Sequence, residues 1–220
     1  FGISLKQIYL PIIGRIQFGI FSPLVTFLWL IGMTNFFNFM DGINGLASME
    51  AIIVSGFLFW IALDVENGII LVSSLIIFAS VLGFLPHNFP NAKIFMGDGG
   101  SNFLGYMFAA FAVIGSQTKT NSIPFFIPAM LLNMFLLDAG VTLIRRLPKG
   151  KNWLEPHKDH YYQKLLALGY THSQITFIYS VLNIVLGVLA VISARSSGII
   201  KGLLFGLSFL LFLMILIIIR

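Results

Sequence analysis

The sequence predicts an all-α protein, a polytopic bundle of transmembrane helices with about seven spans. Three observations carry this prediction. The chain is 58% hydrophobic and only 10% charged, with a mean hydropathy of +0.95, whereas soluble domains carry about a quarter charged residues. Its apolar residues run on for about 20 positions at a time, the length of a spanning helix. Those runs lack the alternation of a lipid-facing barrel strand, and lipid admits only helices and closed barrels as spanning forms.

Taken in order, residues 1–18 are ambiguous between a loop remnant and part of an earlier span. The first full apolar run covers 19–37 and ends in the polar stretch Asn35 to Gly45. The second covers 46–63, and the third covers 69–85 between Asp64 and His87. A fourth, 100–115, follows Asp98-Gly-Gly, and a fifth, 123–144, stops at Arg145-Arg146. The last two, 173–194 and 199–219, are parted by Arg195. No repeat or low-complexity tract divides the chain, so 1–220 reads as one integral-membrane domain. It opens at Phe1 without a methionine or a signal-peptide pattern, and is expected to lack its N-terminal spans. The absence of cysteine excludes a disulfide framework and thiolate chemistry.

The formal charge of +5 is concentrated rather than spread over a soluble face, which argues against nucleic acid as a partner. Arg145, Arg146, Lys149, Lys151, Lys158 and Lys164 stand against Glu155 and Asp159, leaving +4 of the total in one loop. Such a loop is expected in the cytoplasm, where it attracts anionic membrane lipids or a phosphorylated substrate. Each crossing switches sides, so this loop shares its face with 38–45 and 87–99. Those are the chemically rich loops.

In Asn35-Phe-Phe-Asn38-Phe-Met-Asp41-Gly-Ile-Asn44-Gly45, three-residue spacing puts amides and a carboxylate on one side of a helix end. Gly42 and Gly45 loosen the backbone just beyond. Polar groups between two spans are costly and usually functional, although a helix end with Asp41 as a cap explains the same residues. The second segment runs from His87 and Asn88 through Lys93 and Phe95 to Gly97-Asp98-Gly99-Gly100-Ser101. Asp98 at a helix start can hold Mg²⁺ and through it phosphate, and a nearby lysine suits a diphosphate. A plain cap with Gly-rich turn chemistry is the alternative. The third is Pro156-His157-Lys158-Asp159-His160-Tyr161-Tyr162-Gln163. His157, His160 and Lys158 in a basic loop fit phosphate contact better than zinc, for which no third ligand is evident. Trp153, Tyr161 and Tyr162 equally suit an interfacial helix.

Outside these segments, Glu50 is expected to be structural, tolerated by the helix dipole one turn into its span. Asp138 lies deeper without a partner in its own helix, a functional candidate by default. His87 and His172 read as interfacial.

With Asn-Phe-Met-Asp-Gly-Ile-Asn-Gly at 38–45, Phe-Met-Gly-Asp-Gly-Gly-Ser at 95–101 and the His-rich loop in that order, the chain resembles the polyprenyl-phosphate N-acetylhexosamine-1-phosphate transferases. This glycosyltransferase family 4 type group includes the phospho-N-acetylmuramoyl-pentapeptide transferases. Pro-His-x-x-His-Tyr-Tyr-Gln resembles the branch that starts O-antigen and related lipopolysaccharide chains. The resemblance implies transfer of a sugar-1-phosphate from a UDP-N-acetylhexosamine to undecaprenyl phosphate, in the bacterial inner membrane, with the active site toward the cytoplasm. It further implies Mg²⁺, replaceable by Mn²⁺, on Asp98 with Asn38 on or beside it. Asp41 and Asn88 are implied to contact the nucleotide sugar, Phe95 to lie by the uracil, and His157 and His160 to meet the diphosphate. A homodimer is compatible with this reading. The family's upstream paired aspartates and following lysine have no counterpart before Asp41. Two rivals are a multi-pass transporter, which needs acids deep in broken helices, and a non-catalytic relative.

Overall fold

A computed structural model describes residues 3–118, 120–146 and 159–218, with side chains through Leu213. Nine α-helices are described: α1 Ser22–Phe39, α2 Leu46–Asp64, α3 Gly68–Asn88, α4 Gly97–Gln117, α5 Phe126–Leu131, α6 Asn133–Arg146, α7 Tyr161–Ala167, α8 His172–Arg195 and α9 Gly198–Ile218. The helical reading holds for every predicted apolar run, with one break. Residues 123–144 do not form a single rod, because Leu132 leaves helical geometry (φ −90°, ψ 6°) and separates a 6-residue α5 from a 14-residue α6. Directly after the break, the buried Asn133 donates from Nδ2 to the Ser208 carbonyl of α9 at 2.7 Å. An apolar run alone does not show such a break, nor that the residue beside it bonds to a partner 75 positions away.

Among the described residues, four of the seven expected spans stand as helices long and apolar enough to cross a membrane: α1 with the turn before it, α2, α3 and α8. Helix α4 has the length, but its first turns are Gly97-Asp98-Gly99-Gly100-Ser101-Asn102. The ambiguous N-terminal stretch holds an antiparallel hairpin of β1 Gln7–Leu10 and β2 Gly14–Gln17, paired from Gln7 with Gln17 to Leu10 with Gly14. Gly14 takes φ +91° at the turn, a conformation a side chain would resist. Two bonds tie the segment to α1: Leu5 N to Thr26 Oγ1 (2.8 Å) and Ser22 Oγ to Ser4 Oγ (2.8 Å).

Helix α1 packs on α4, while α2 sits between α3 and α8. Lipid supplies no hydrophobic force between helices, so close approach over small residues does that work. At Gly105 in α4, a Cβ would meet Phe37 and the α1 backbone at 2.8–3.0 Å. The core between α1, α4 and α6 is aromatic, with Phe37 centred 5.8 Å from Phe108 and 5.1 Å from Phe135. Large apolar side chains such as Leu24, Phe27, Leu28, Ile76 and Phe177 point outward, as expected of a surface solvated by lipid.

The loops sort to two ends. At one, Asn67 caps α3 by accepting from Ile70 N (3.2 Å) and donates to the Asn121 carbonyl (2.9 Å), and Asn121 returns a bond to Glu66 O (3.1 Å). Arg195 pairs there with Asp64. The segments after α1 and α3 lie together at the other end, with the start of α7 beside them, and span parity predicts that the first two share a face.

Candidate active site

The last turn of α1 presents Asn38 but not Asn35, whose amide turns back to Ile31 O at 2.8 Å. Asn38 Nδ2 donates to Asp98 Oδ1 (3.0 Å) and to Ser101 Oγ (2.9 Å), joining residues 60 positions apart. Ser101 passes the bond on to Gly97 O (2.9 Å) in the first turn of α4. Gly97 takes φ +65°, and its backbone N–H lies near enough to the Asp41 carboxylate to favour its charged form. Asn38, Asp41 and Asp98 therefore meet where α1 ends and α4 begins. Partial burial pushes the Asp41 carboxyl up to about 7; the Gly97 N–H opposes this and the charge of Asp98 adds to it. Asp98 itself is exposed.

Asn88, at the end of α3, is buried and holds the two loops in register. Its Oδ1 accepts from Gly45 N (3.1 Å) and Ser48 Oγ (2.7 Å), and its Nδ2 donates to Ile94 O (3.0 Å). Asn44 adds a bond from Nδ2 to Pro90 O (3.0 Å) and receives Thr176 Oγ1 on its carbonyl (2.8 Å). His172 joins this junction by accepting from Asn44 N through Nδ1 (3.4 Å). Lys93 and Phe95 stand exposed on the loop between α3 and α4, Phe95 at 72%.

Of the third segment, His157 and Lys158 lie outside the described residues, as do Trp153 and Pro156. His160 is described and buried, stacked on Tyr162 (5.8 Å, 15°) and close to Phe39 (6.0 Å). Its Nδ1 lies 3.3 Å from Asp138 Oδ1. Asp138 is thus no solitary acid: it accepts from Tyr161 N (2.9 Å), Tyr162 N (3.3 Å) and Tyr179 OH (2.7 Å). Tyr162 OH donates to Phe39 O (3.0 Å) and accepts from Gln163 Nε2 (3.1 Å). Burial, then the Asp138 charge, raise this phenol above its ordinary range. A Cβ on Gly42 would collide with the same hydroxyl. Sequence reasoning gave Tyr162 an interfacial role and did not single out Ser101. The signal for Tyr162 was its place beside the histidines; the signal for Ser101 was its position one turn after Gly97.

Glu50 is buried in α2 and bonded by Asn183 Nδ2 of α8, the structural role expected of it.

Among the described residues no three His, Asp, Glu or Cys side chains converge, so no closed protein cage for a metal is formed there. Mg²⁺ needs none. It keeps waters and takes one or two carboxylates together with substrate phosphates. Asp98, Asp41 and the Asn38 amide supply hard oxygens, and the repulsion between the two acids is what a divalent cation relieves. The residues fit such an ion.

Residues 1–116, just over half of the 220, match Glycosyl transferase family 4. The chain belongs to glycosyl transferase family 4. The family match includes Asn38, Asp41, Asn88 and Asp98. A probable undecaprenyl-phosphate N-acetylglucosaminyl 1-phosphate transferase of Bacillus subtilis is 36% identical over 179 residues, covering 78% of this chain and 50% of its own. A decaprenyl-phosphate N-acetylglucosaminephosphotransferase of Mycobacterium leprae is 30% identical over 199 residues, 80% of this chain and 50% of its own. A phospho-N-acetylmuramoyl-pentapeptide-transferase of Leuconostoc mesenteroides is 44% identical over 96 residues, 44% of this chain and 30% of its own. This glycosyl transferase family 4 chain spans about half the length of the first two relatives.

Proposed function

We propose that the protein transfers an N-acetylhexosamine-1-phosphate from a UDP-sugar to undecaprenyl phosphate, releasing UMP and starting a lipid-linked surface polysaccharide. The observation that carries this is the meeting of Asn38, Asp41 and Asp98 at one end of a membrane bundle. The names of the relatives from Bacillus and Mycobacterium make N-acetylglucosamine the first donor to try. An apolar groove of about 470 Å³ between α1 and α6, lined by Phe36, Leu137, Gly140 and Ile144 among others, suits a lipid acceptor near that site. We place the site on the cytoplasmic face of the bacterial inner membrane.

A phosphate oxygen of the acceptor attacks the sugar-linked phosphorus of the donor. The new P–O bond forms as the bond to UMP breaks, and UMP leaves with the electron pair. Asp98, with Asp41 and Asn38 beside it, would hold Mg²⁺ or Mn²⁺, which when bound supplies charge neutralisation for the diphosphate. Asn38 keeps the Asp98 carboxylate in place. Exposed Lys93 brings a positive charge to the diphosphate, and Phe95 offers an open ring to the base. Transfer of this kind depends on positioning and charge stabilisation more than on covalent help from the protein. The test is formation of lipid-linked sugar from radiolabelled UDP-N-acetylglucosamine in membranes carrying wild type or Asp98→Ala. Loss of nearly all product at equal expression is expected, and near-normal product would overturn the assignment.

A further inference from the structure

We propose that Asp138 is a positioning residue for the site: its carboxylate holds the first two amides of α7 and thereby sets the Tyr162 hydroxyl against the α1–α2 loop that carries Asp41. This rests on the transferase reading. Asp138 is fully buried in α6 and touches none of Asn38, Asp41 or Asp98 through any bond described above. A carboxylate inside a membrane bundle is costly unless donors surround it. Here α7 supplies two backbone amides, α8 supplies the Tyr179 hydroxyl, and His160 Nδ1 stands 3.3 Å away.

The arrangement works in one direction along the chain. Apolar packing would hold α7 near α6, but only directional bonds define the rotation of its first turn. Because the amides of Tyr161 and Tyr162 both point at Asp138, the Tyr162 ring runs past Gly42 and its hydroxyl meets Phe39 O. Gln163 braces that hydroxyl from the other side at 3.1 Å. The loop from Met40 to Gly45 is thus held by Asn88 on one side and by Tyr162 on the other. Asp41 lies in sequence between the two residues they anchor, Phe39 and Gly45.

The chain has no cysteine, so Leu165→Cys on the buried face of α7 serves as a single reporter of whether α7 is docked. In purified protein carrying that reporter, Asp138→Asn is expected to raise maleimide labelling about tenfold by freeing α7. It is also expected to lower kcat for lipid-linked sugar formation about tenfold or more, with the donor KM little changed, as misplacement of a bound group does. Tyr162→Phe leaves the amides in place and removes only the hydroxyl, with its bonds to Phe39 O and Gln163 Nε2. It is expected to lower kcat while labelling stays low, which tests the second half of the relay without disturbing the fold. Unchanged labelling in Asp138→Asn, or wild-type kcat in either variant, would overturn the proposal. An inactive wild type would instead overturn the transferase reading, and the labelling arm, which needs no turnover, tells the two failures apart.

Discussion

The Tyr162 hydroxyl donates to the Phe39 carbonyl across 3.0 Å, joining the first turn of α7 to the last residue of α1 although 123 positions separate them. Gly42 lies directly beneath that hydroxyl, where a methyl group would collide with it. Gly42→Ala is therefore expected to reduce sugar transfer by about tenfold to a hundredfold, the penalty for shifting a reacting group by about 1 Å. In a Tyr162→Ala background the same substitution should have much less additional effect. A double-mutant cycle on turnover checks this, since strictly additive losses would mean that the two residues act independently.

Asn88 satisfies two donors and one carbonyl of other residues from a buried position. Asn88→Ala strands them, at a cost of about 1–3 kcal/mol for each buried group left unmet. Thermal unfolding in detergent should register a clear loss of stability, and turnover should fall with it. A melting point equal to that of the wild type would show that these groups find other partners.

Within the bundle, Asn183→Leu removes the α8 donor from Glu50 and is expected to destabilise the protein by about 1–3 kcal/mol. Replacing both, as Glu50→Leu with Asn183→Leu, should recover most of that loss, because no polar group is then left without a partner. Unfolding midpoints of the two single variants and the double variant decide it.

A fourth expectation concerns the far end. The Arg195–Asp64 pair is partly open to solvent, and such pairs contribute about 0–1 kcal/mol. Asp64→Ala should leave both sugar transfer and the melting point nearly unchanged. A large loss of activity would mean that the two ends of the bundle are coupled.

Chelation gives a fifth. EDTA should abolish product formation, and Mg²⁺ or Mn²⁺ should restore it, whereas Asp98→Asn should remain inactive at any concentration of either ion. Product formation by chelated wild type would remove the divalent ion from the scheme.

Much of this was legible in the sequence, and the reason is physical. Continuous apolar runs show where helices cross, and crossing parity then puts the Asn38, Asp98 and Arg145 loops at one end without any knowledge of packing. Whatever depends on contact between distant residues was not legible. Leu132 lies inside an unbroken apolar run, and the bond that Asn133 makes beside it goes to a carbonyl of α9. Asp138 could be marked as unusual for its depth, but its donors arrive from α7 and α8. Tyr162 reads as an interfacial anchor in the sequence, and its place against Gly42 depends on how α7 packs on a loop 120 positions away. The hairpin escaped notice because its strands are only 4 residues each, too short for alternation to stand out beside the apolar spans.

Helix α3 is clamped at both of its ends, by Asn67 to Asn121 and by Asn88 to Gly45. A rod secured in that way is resisted at both ends when it slides along its axis. The strap from Phe89 to Met96 is pinned in turn, at Pro90 by Asn44 and at Ile94 by Asn88, so the exposed Lys93 and Phe95 side chains are carried on a stretch of backbone fixed from both neighbouring loops.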